Sequence, residues 1–380
     1  MKKFIVIGLL FLLAGCAAPT TKVLVDFENI PIYPPPPAEA KLQFLRAISS
    51  SSDIKQPGKL DQFLFGSSLM ELEIGIEKPY GIAVKHGKIY ICDSMLPGLV
   101  IIDLENKDMR TFSPGGRGVL RKPINVAVDN NGDIYVTDTE RQQVVVYDKD
   151  LKYKYALTSD SWKPIDLIFY GDSLLVTDYD DRVVEVWSKS RKQPIGEFPP
   201  HNLDLPDSQR VFVPYSIAIG NNGNIYITDF GQFRVNEFDH RGRYIKSVGG
   251  IGRNLGKFAR PKGIAVDKDG VLYVVDSAFE NVQMFNREGQ LLMFFGGPYQ
   301  GPGDMYLPAQ ITIDTTSLDY FSDYVLSGYR LTELLAVTNQ YGPDKITFYG
   351  KIEVDSTQMD ALPLLPTPTK KESTENGENE

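Results

Sequence analysis

The sequence predicts an all-β fold, a six-bladed β-propeller, and three observations predict it. A proline-led apolar run recurs six times, at Pro79, Pro123, Pro164, Pro214, Pro261 and Pro308, with spacings of 44, 41, 50, 47 and 47 residues. Fourteen or fifteen residues after each of the first five prolines, a second apolar run ends in aspartate: Asp93, Asp138, Asp178, Asp229 and Asp276. Further β-rich runs, such as Val144 to Tyr147 and Leu291 to Phe295, complete each period. Four short strands per period of about 45 residues make one propeller blade, so six periods make six blades.

Along the chain, Met1-Lys2-Lys3 opens an apolar stretch from Phe4 to Leu13, followed by Ala14-Gly15-Cys16. Positive charge, a short hydrophobic region and small residues before a cut site describe a signal peptide over residues 1–15. Leu13-Ala14-Gly15-Cys16 resembles the bacterial lipobox. That resemblance implies cleavage before Cys16 and its lipidation, with diacylglycerol on sulfur and a fatty acid such as palmitate on the amine. Several acyl chains on one residue anchor durably where one would not. Ala17 after the modified cysteine resembles the pattern delivered to the Gram-negative outer membrane. Residues 16–40 then read as a tether, because Pro31 and Pro34 to Pro37 favour extended polyproline II. The propeller is expected over 41–356, and 357–380, rich in Pro, Lys, Glu and Asn, as a disordered tail.

Within the blades, Asp129-Asn130-Asn131-Gly132 and Asp267-Lys268-Asp269-Gly270 supply residues that accept positive φ in tight turns. The sixth copy has strands near Gln310 to Asp314, Leu334 to Thr338 and Ile346 to Tyr349, with no fourth strand after them. Lys41 to Ile48, upstream of the first blade, reads as the missing strand. Pairing it with the last blade closes the ring and hides the edges an open sheet exposes. Between the first and second strands of the sixth copy, Ser317 to Val325 has helical apolar spacing after a Ser/Thr cap. It is expected to plug the bottom of the channel, or else to dock a partner.

Pro-x-Gly-Ile-Ala-Val-Asp followed by Asn-Gly-x-Ile-Tyr-Val-Thr-Asp resembles the NHL repeat, and the resemblance runs over about 41–352. Similar six-bladed propellers include zinc-dependent amidoglycolate lyases, which use a histidine trio. Here His86 and His240 fall in bottom-face turns and His201 in a top-face connection, so the three cannot converge on one zinc. The repeated aspartates form a ring near the top face. Either they cage a cation, or each bonds the loop amides of its own blade; repetition in every blade favours the second.

Departures from the repeat are where a site is sought. Two residues after each proline, Gly81 and Gly263 keep the repeat's glycine, while Asn125, Asp166, Ser216 and Gln310 place polar groups toward the channel. Calcium accepts such oxygens, and the six-bladed lactonases and paraoxonases that this fold resembles hold calcium in a comparable place. The sequence alone assigns no metal site, and calcium is the one cofactor that this resemblance implies. A second uneven set lies in the loops between second and third strands: Tyr179, Arg182, Phe230, Phe233, Arg234 and Phe279. Aromatics beside arginine suit a partner surface; the alternative is that Phe230 and Phe233 tuck between blades while Arg234 pairs with Asp229. Cys92, in an apolar run, is expected as a buried free thiol.

With 40 basic against 49 acidic residues, the net charge is −9, which argues against binding nucleic-acid phosphates. The sequence around Leu334 to Pro343 resembles a group of bacterial NHL lipoproteins often encoded beside multihaem cytochromes. The resemblance implies envelope proteins, multihaem cytochromes among them, as partners, and an accessory role in electron transfer. The chain has no Cys-x-x-Cys-His, so haem would belong to the partner. The reading is therefore a membrane-anchored, non-catalytic protein-binding scaffold; the alternative is a calcium-assisted lactonase or lyase working around Asp166.

Overall fold

The computed structural model describes residues 30–55, 73–200 and 205–356. The signal peptide, Cys16, His201 and the C-terminal tail lie outside the described residues. The chain enters through β1 (Ile32–Tyr33) and β2 (Leu42–Ile48) and then builds five four-stranded antiparallel sheets in succession. The first holds β3 (Pro79–Lys85), β4 (Lys88–Asp93), β5 (Leu99–Asp103) and β6 (Asp108–Phe112). The second holds β7 (Pro123–Val128), β8 (Ile134–Asp138), β9 (Gln143–Tyr147) and β10 (Tyr153–Thr158). The third holds β11 (Pro164–Tyr170), β12 (Ser173–Asp178), β13 (Val183–Ser188) and β14 (Gln193–Phe198). The fourth holds β15 (Pro214–Ile219), β16 (Ile225–Asp229), β17 (Arg234–Phe238) and β18 (Tyr244–Gly249), and the fifth β19 (Pro261–Val266), β20 (Leu272–Asp276), β21 (Asn281–Phe285) and β22 (Leu291–Gly296). The sixth sheet joins β23 (Pro308–Asp314), β24 (Tyr329–Asn339) and β25 (Ile346–Val354) to the N-terminal strands. The protein is a six-bladed β-propeller.

The apolar runs follow from where each strand sits. A strand in a blade has a neighbouring blade on both faces, so both halves of its period-two alternation are buried. On β8, Ile134 and Val136 pack toward the first blade with Ala83 and Ile101, while Tyr135 packs toward the third with Leu174 and Trp187. Continuous runs such as Ile134-Tyr135-Val136 therefore belong to central strands. The fourth strands have one face in solvent and read accordingly: on β14 only Phe198 is buried.

Closure matches the expectation. β2 pairs antiparallel with β25, from Leu42 opposite Lys351 to Ile48 opposite Ile346. Residues 31–40, however, are not a free spacer. Ile32 and Tyr33 add a fifth strand beside Gln43 and Leu42, and the Tyr33 hydroxyl donates to the Gly303 carbonyl at 3.2 Å. Tyr33 also rests on the rings of Phe295 and Tyr349. Burial of this aromatic side chain outweighs the extended preference of the flanking prolines.

The sixth-blade insertion also departs from expectation. Leu318–Tyr324 forms a 3-10 helix of seven residues. Phe321 is buried against Phe348 at a centroid distance of 4.8 Å, among residues of the first and sixth blades. Gln43 fixes the segment's end, donating to the Tyr324 carbonyl at 2.6 Å and accepting from the Leu326 amide at 3.0 Å. The insertion thus seals the seam between first and last blades rather than the channel, because that seam is where its aromatic side chain finds apolar surface.

Candidate functional site

Each inner strand starts with its proline opposite the last residue of the second strand, as in Pro123 opposite Asp138, and a register shift follows at once. Proline has no N–H to give, so the two amides before it turn to the aspartate instead. Asp93 accepts from Glu77 at 2.7 Å and Lys78 at 3.1 Å, and from Met95 in the loop beyond. Asp138 accepts from Arg121, Lys122, Glu140 and Arg141, and Asp276 from Ala259, Arg260, Ala278 and Phe279. The aspartate ring is a set of blade clasps, and in the sixth blade Asn339 takes the position, accepting from Tyr306.

The register shift delivers the residue two after each proline to the axis. There the structure brings Asn125, Asp166, Ser216 and Gln310 together around the Asp166 carboxylate, which is buried. Asp166 Oδ1 accepts from Asn125 Nδ2 and from the Leu167 amide at 2.7 Å. Oδ2 accepts from Ser216 Oγ at 2.7 Å, the Ile217 amide at 3.0 Å and Gln310 Nε2 at 3.2 Å. Burial pushes this carboxyl above the ordinary carboxylate range, and the hydrogen bonds from Ser216, Ile217, Leu167 and Gln310 oppose that push. Five donors on two oxygens more than fill the capacity of an ionised carboxylate, about four lone-pair sites.

The two retained glycines make this assembly possible. A Cβ on Gly81 would lie 2.4 Å from Asn125 Oδ1, and one on Gly263 would lie 2.1 Å from Gln310 Oε1. The sequence reading missed the residues that support the site from behind. Thr137 Oγ1 accepts from the Asn125 amide and donates to the Ile165 carbonyl of the next blade, and Thr338 likewise links Gln310 to Tyr80. Thr177 accepts from the Asp166 amide. The signal was present: threonine precedes the clasp residue in the four blades with a polar channel residue, whereas the glycine blades have Cys92 and Val275.

This polar knot divides the channel. Below it, toward the turns between first and second strands, lies a cavity of about 370 Å³ walled by Ile82, Val126, Leu167, Ile217 and Ile311, with Lys85 and Asp314 also in its lining. Above it, Tyr80 and Tyr215 reach from opposite blades to within 6.0 Å between ring centroids, and Phe230 stacks on Tyr215 at 5.5 Å. Phe233 continues the stack from Phe230 and packs on the core between the fourth and fifth blades. Arg234 departs from the expected pairing with Asp229: its Nη2 donates to the carbonyls of Asp207 and Arg210, at 2.9 and 3.1 Å, binding the entry loop of its blade. Tyr179 is exposed under the Lys163 ammonium, 4.3 Å from the ring centroid. Arg182 is exposed and Phe279 half-buried in adjoining loops of the same face. His86 and His240 lie in the bottom-face turns expected of them. Cys92 is fully buried, and burial pushes its thiol well up.

Among the described residues, one group of acids has the spacing of a metal site: Asp267, Asp269 and Glu333. It is already filled. Lys351 Nζ stands 2.6 Å from Asp267, 2.6 Å from Asp269 and 3.1 Å from Glu333, so an ammonium occupies the place of a cation. These ion pairs hold the Lys351 pKa above its ordinary value although its burial acts the other way. We expect calcium to leave the melting temperature of the native chain unchanged and to raise that of Lys351→Met, read by thermal unfolding with and without calcium. A calcium response in the native chain that the variant loses would contradict this assignment.

Residues 120–147, from just before β7 to the end of β9, match the NHL repeat. No curated protein matches the chain. Among solved structures, it is similar to a protein of unknown function from Bacteroides thetaiotaomicron, at 17% identity and a TM-score of 0.56, covering 73% of this chain and 70% of that one. It is also similar to the calcium-binding protein regucalcin from Agrobacterium tumefaciens, at 12% identity and a TM-score of 0.51, covering 73% and 91%. A streptogramin B lyase matches at 15% identity and a TM-score of 0.51, covering 75% and 86%. At these identities the likeness is one of fold.

Proposed function

We propose that this protein is a non-catalytic binding propeller of the bacterial envelope, lipid-anchored through Cys16 at the outer membrane, which presents its top face to another envelope protein. The observation that carries the reading is the commitment of Asp166. The one carboxylate in the axial cluster spends both oxygens on five donors of its own chain, which opposes its use as a general base or a calcium ligand. The top face, by contrast, offers exposed groups suited to contact: Tyr179 under Lys163, Arg182 beside it, and the half-buried Phe279. Multihaem cytochromes are the partner class to try first, on the resemblance of the sixth copy.

The competing reading, a calcium-assisted lactonase or lyase, draws on the same four channel residues and on the fold shared with regucalcin. It requires Asp166 to release Ser216 and Gln310.

The test is cross-linking in native membranes with the tagged chain, followed by purification and mass spectrometry. One envelope protein is expected at near-equal amount, its capture falling at least ~10-fold in Tyr179→Ala/Arg182→Glu and persisting in the bottom-face variant Tyr320→Ala. Capture of abundant membrane proteins alone, or of one protein equally by both variants, would count against the proposal. Cys16→Ser should move the chain out of the membrane fraction.

A further inference from the structure

Above the polar knot, the channel mouth holds a positive charge that the fold does not neutralise. Lys262 follows Pro261, at the position where the other blades carry Tyr80, Ile124, Ile165, Tyr215 and Ala309. It is 8% exposed, and its ammonium donates to the neutral Gln340 Oε1 at 3.3 Å and lies 5.7 Å from the Tyr80 ring centroid. Among the described residues no carboxylate stands within ion-pair distance of it. The charged groups that act on it are Arg260 and Lys78, both cations. Burial, and then these two, bring its pKa down to about 8.

A buried ammonium whose one hydrogen-bond acceptor among the described residues is a neutral amide is disfavoured unless something else meets it. The surroundings say what would. Lys78, Lys122, Lys163 and Arg260 each precede an inner-strand proline, so four blades bring a cation to this end of a chain whose net charge is −9. Tyr80 and Tyr215 meet across the axis, their ring centroids 6.0 Å apart, and together supply an aromatic floor. An ammonium carries three donors, and one is used on Gln340, which leaves two for a single carboxylate group.

We propose that the top mouth of the channel is a carboxylate-binding recess, with Lys262 as its buried cation, Tyr80 and Tyr215 as floor, and Lys78 and Arg260 as rim. Its ligand class is a small aromatic monocarboxylate. The proposal depends on neither the lipid anchor nor a protein partner.

Binding would restore the proton to Lys262, since a carboxylate favours the charged amine. Near pH 8.5 the free site is largely deprotonated, so binding takes up a proton from the buffer. The experiment is titration calorimetry of the full chain in detergent at pH 8.5, with benzoate, acetate and inorganic phosphate as probes, in two buffers of different ionisation enthalpy. We expect one benzoate per chain, an enthalpy that differs between buffers by uptake of about half a proton or more, and weaker binding of acetate and phosphate. Lys262→Met, checked for folding by thermal unfolding, is expected to weaken benzoate at least ~10-fold and abolish the buffer dependence. Lys149→Met, in the bottom-face turn between β9 and β10, should change affinity less than about twofold. No benzoate binding up to tens of millimolar (a range of about 10–50 mM), or unchanged binding in folded Lys262→Met, would overturn the proposal. Equal binding of all three probes would overturn the role given to the tyrosine floor.

Discussion

Replacing Asp166 with alanine is expected to destabilise the propeller by about 3–5 kcal/mol, read as a lowered urea midpoint at unchanged slope. The residue is the hub at which four blades meet on the axis. Asn125, Ser216 and Gln310 come from the second, fourth and sixth blades, and each gives a hydrogen to a carboxylate from the third. Removing that carboxylate orphans these side chains and the amides of Leu167 and Ile217, at about 1–3 kcal/mol for each donor left dry. The total stays below the simple sum because the adjoining cavity admits water and because the desolvation of the carboxylate is relieved. Asp166→Asn, which keeps one acceptor oxygen but turns an amino group toward donors, should lose about half as much. Unchanged stability in Asp166→Ala would mean that the hub does not hold the blades.

Deleting the chain through Ile48 is expected to have the larger effect and abolish cooperative folding. β2 supplies the outer strand that β25 needs, and Leu42, Leu45 and Ile48 are each at most 3% exposed. Burying three such side chains contributes about 5–9 kcal/mol, against a typical total stability of about 5–15 kcal/mol. The deletion also uncovers β25 along Ile346 to Lys351, a free edge able to pair with a second chain. A broadened thermal transition, exposed hydrophobic surface and aggregation are the expected readouts. A sharp transition at the native temperature would show that the ring closes without its N-terminal strand.

Much of this architecture could be read from one-dimensional spacing, because a propeller repeats one local solution. The proline that lacks an N–H, the aspartate that collects the two amides before it, and the two-sided apolar strand between them recur within a single blade. β2 was legible for a related reason: the sixth period lacked a strand and Lys41 to Ile48 had no blade of its own. The four polar channel residues could also be named, since each breaks the repeat at the same offset.

What escaped the sequence depends on distance across the ring. Ser216 lies 50 residues from Asp166 and Gln310 lies 144 away, and only the closed ring shows that both spend their donors on that carboxylate. Arg234 was matched to its nearest acid in sequence, whereas the entry-loop carbonyls of Asp207 and Arg210 lie at hydrogen-bond distance in space. Ile32 and Tyr33 were read through the prolines around them, and their pairing with Gln43 and Leu42 overrides that local preference. Lys262 was passed over because a lysine after proline looks like surface; its burial is created by Tyr80 and Gln340, contributed by the first and sixth blades.

The central claim is that the channel carboxylate belongs to the protein's own donors, which supports the proposal of a binding module over that of an enzyme. Calcium titration calorimetry of the purified chain beside Asp166→Ala, with elemental analysis of both, tests it most directly. The account predicts no stoichiometric calcium in either protein, and a loss of stability in the variant that calcium does not alter. One calcium bound per native chain, absent from a folded Asp166→Ala, would contradict it and turn the reading toward a calcium-assisted enzyme.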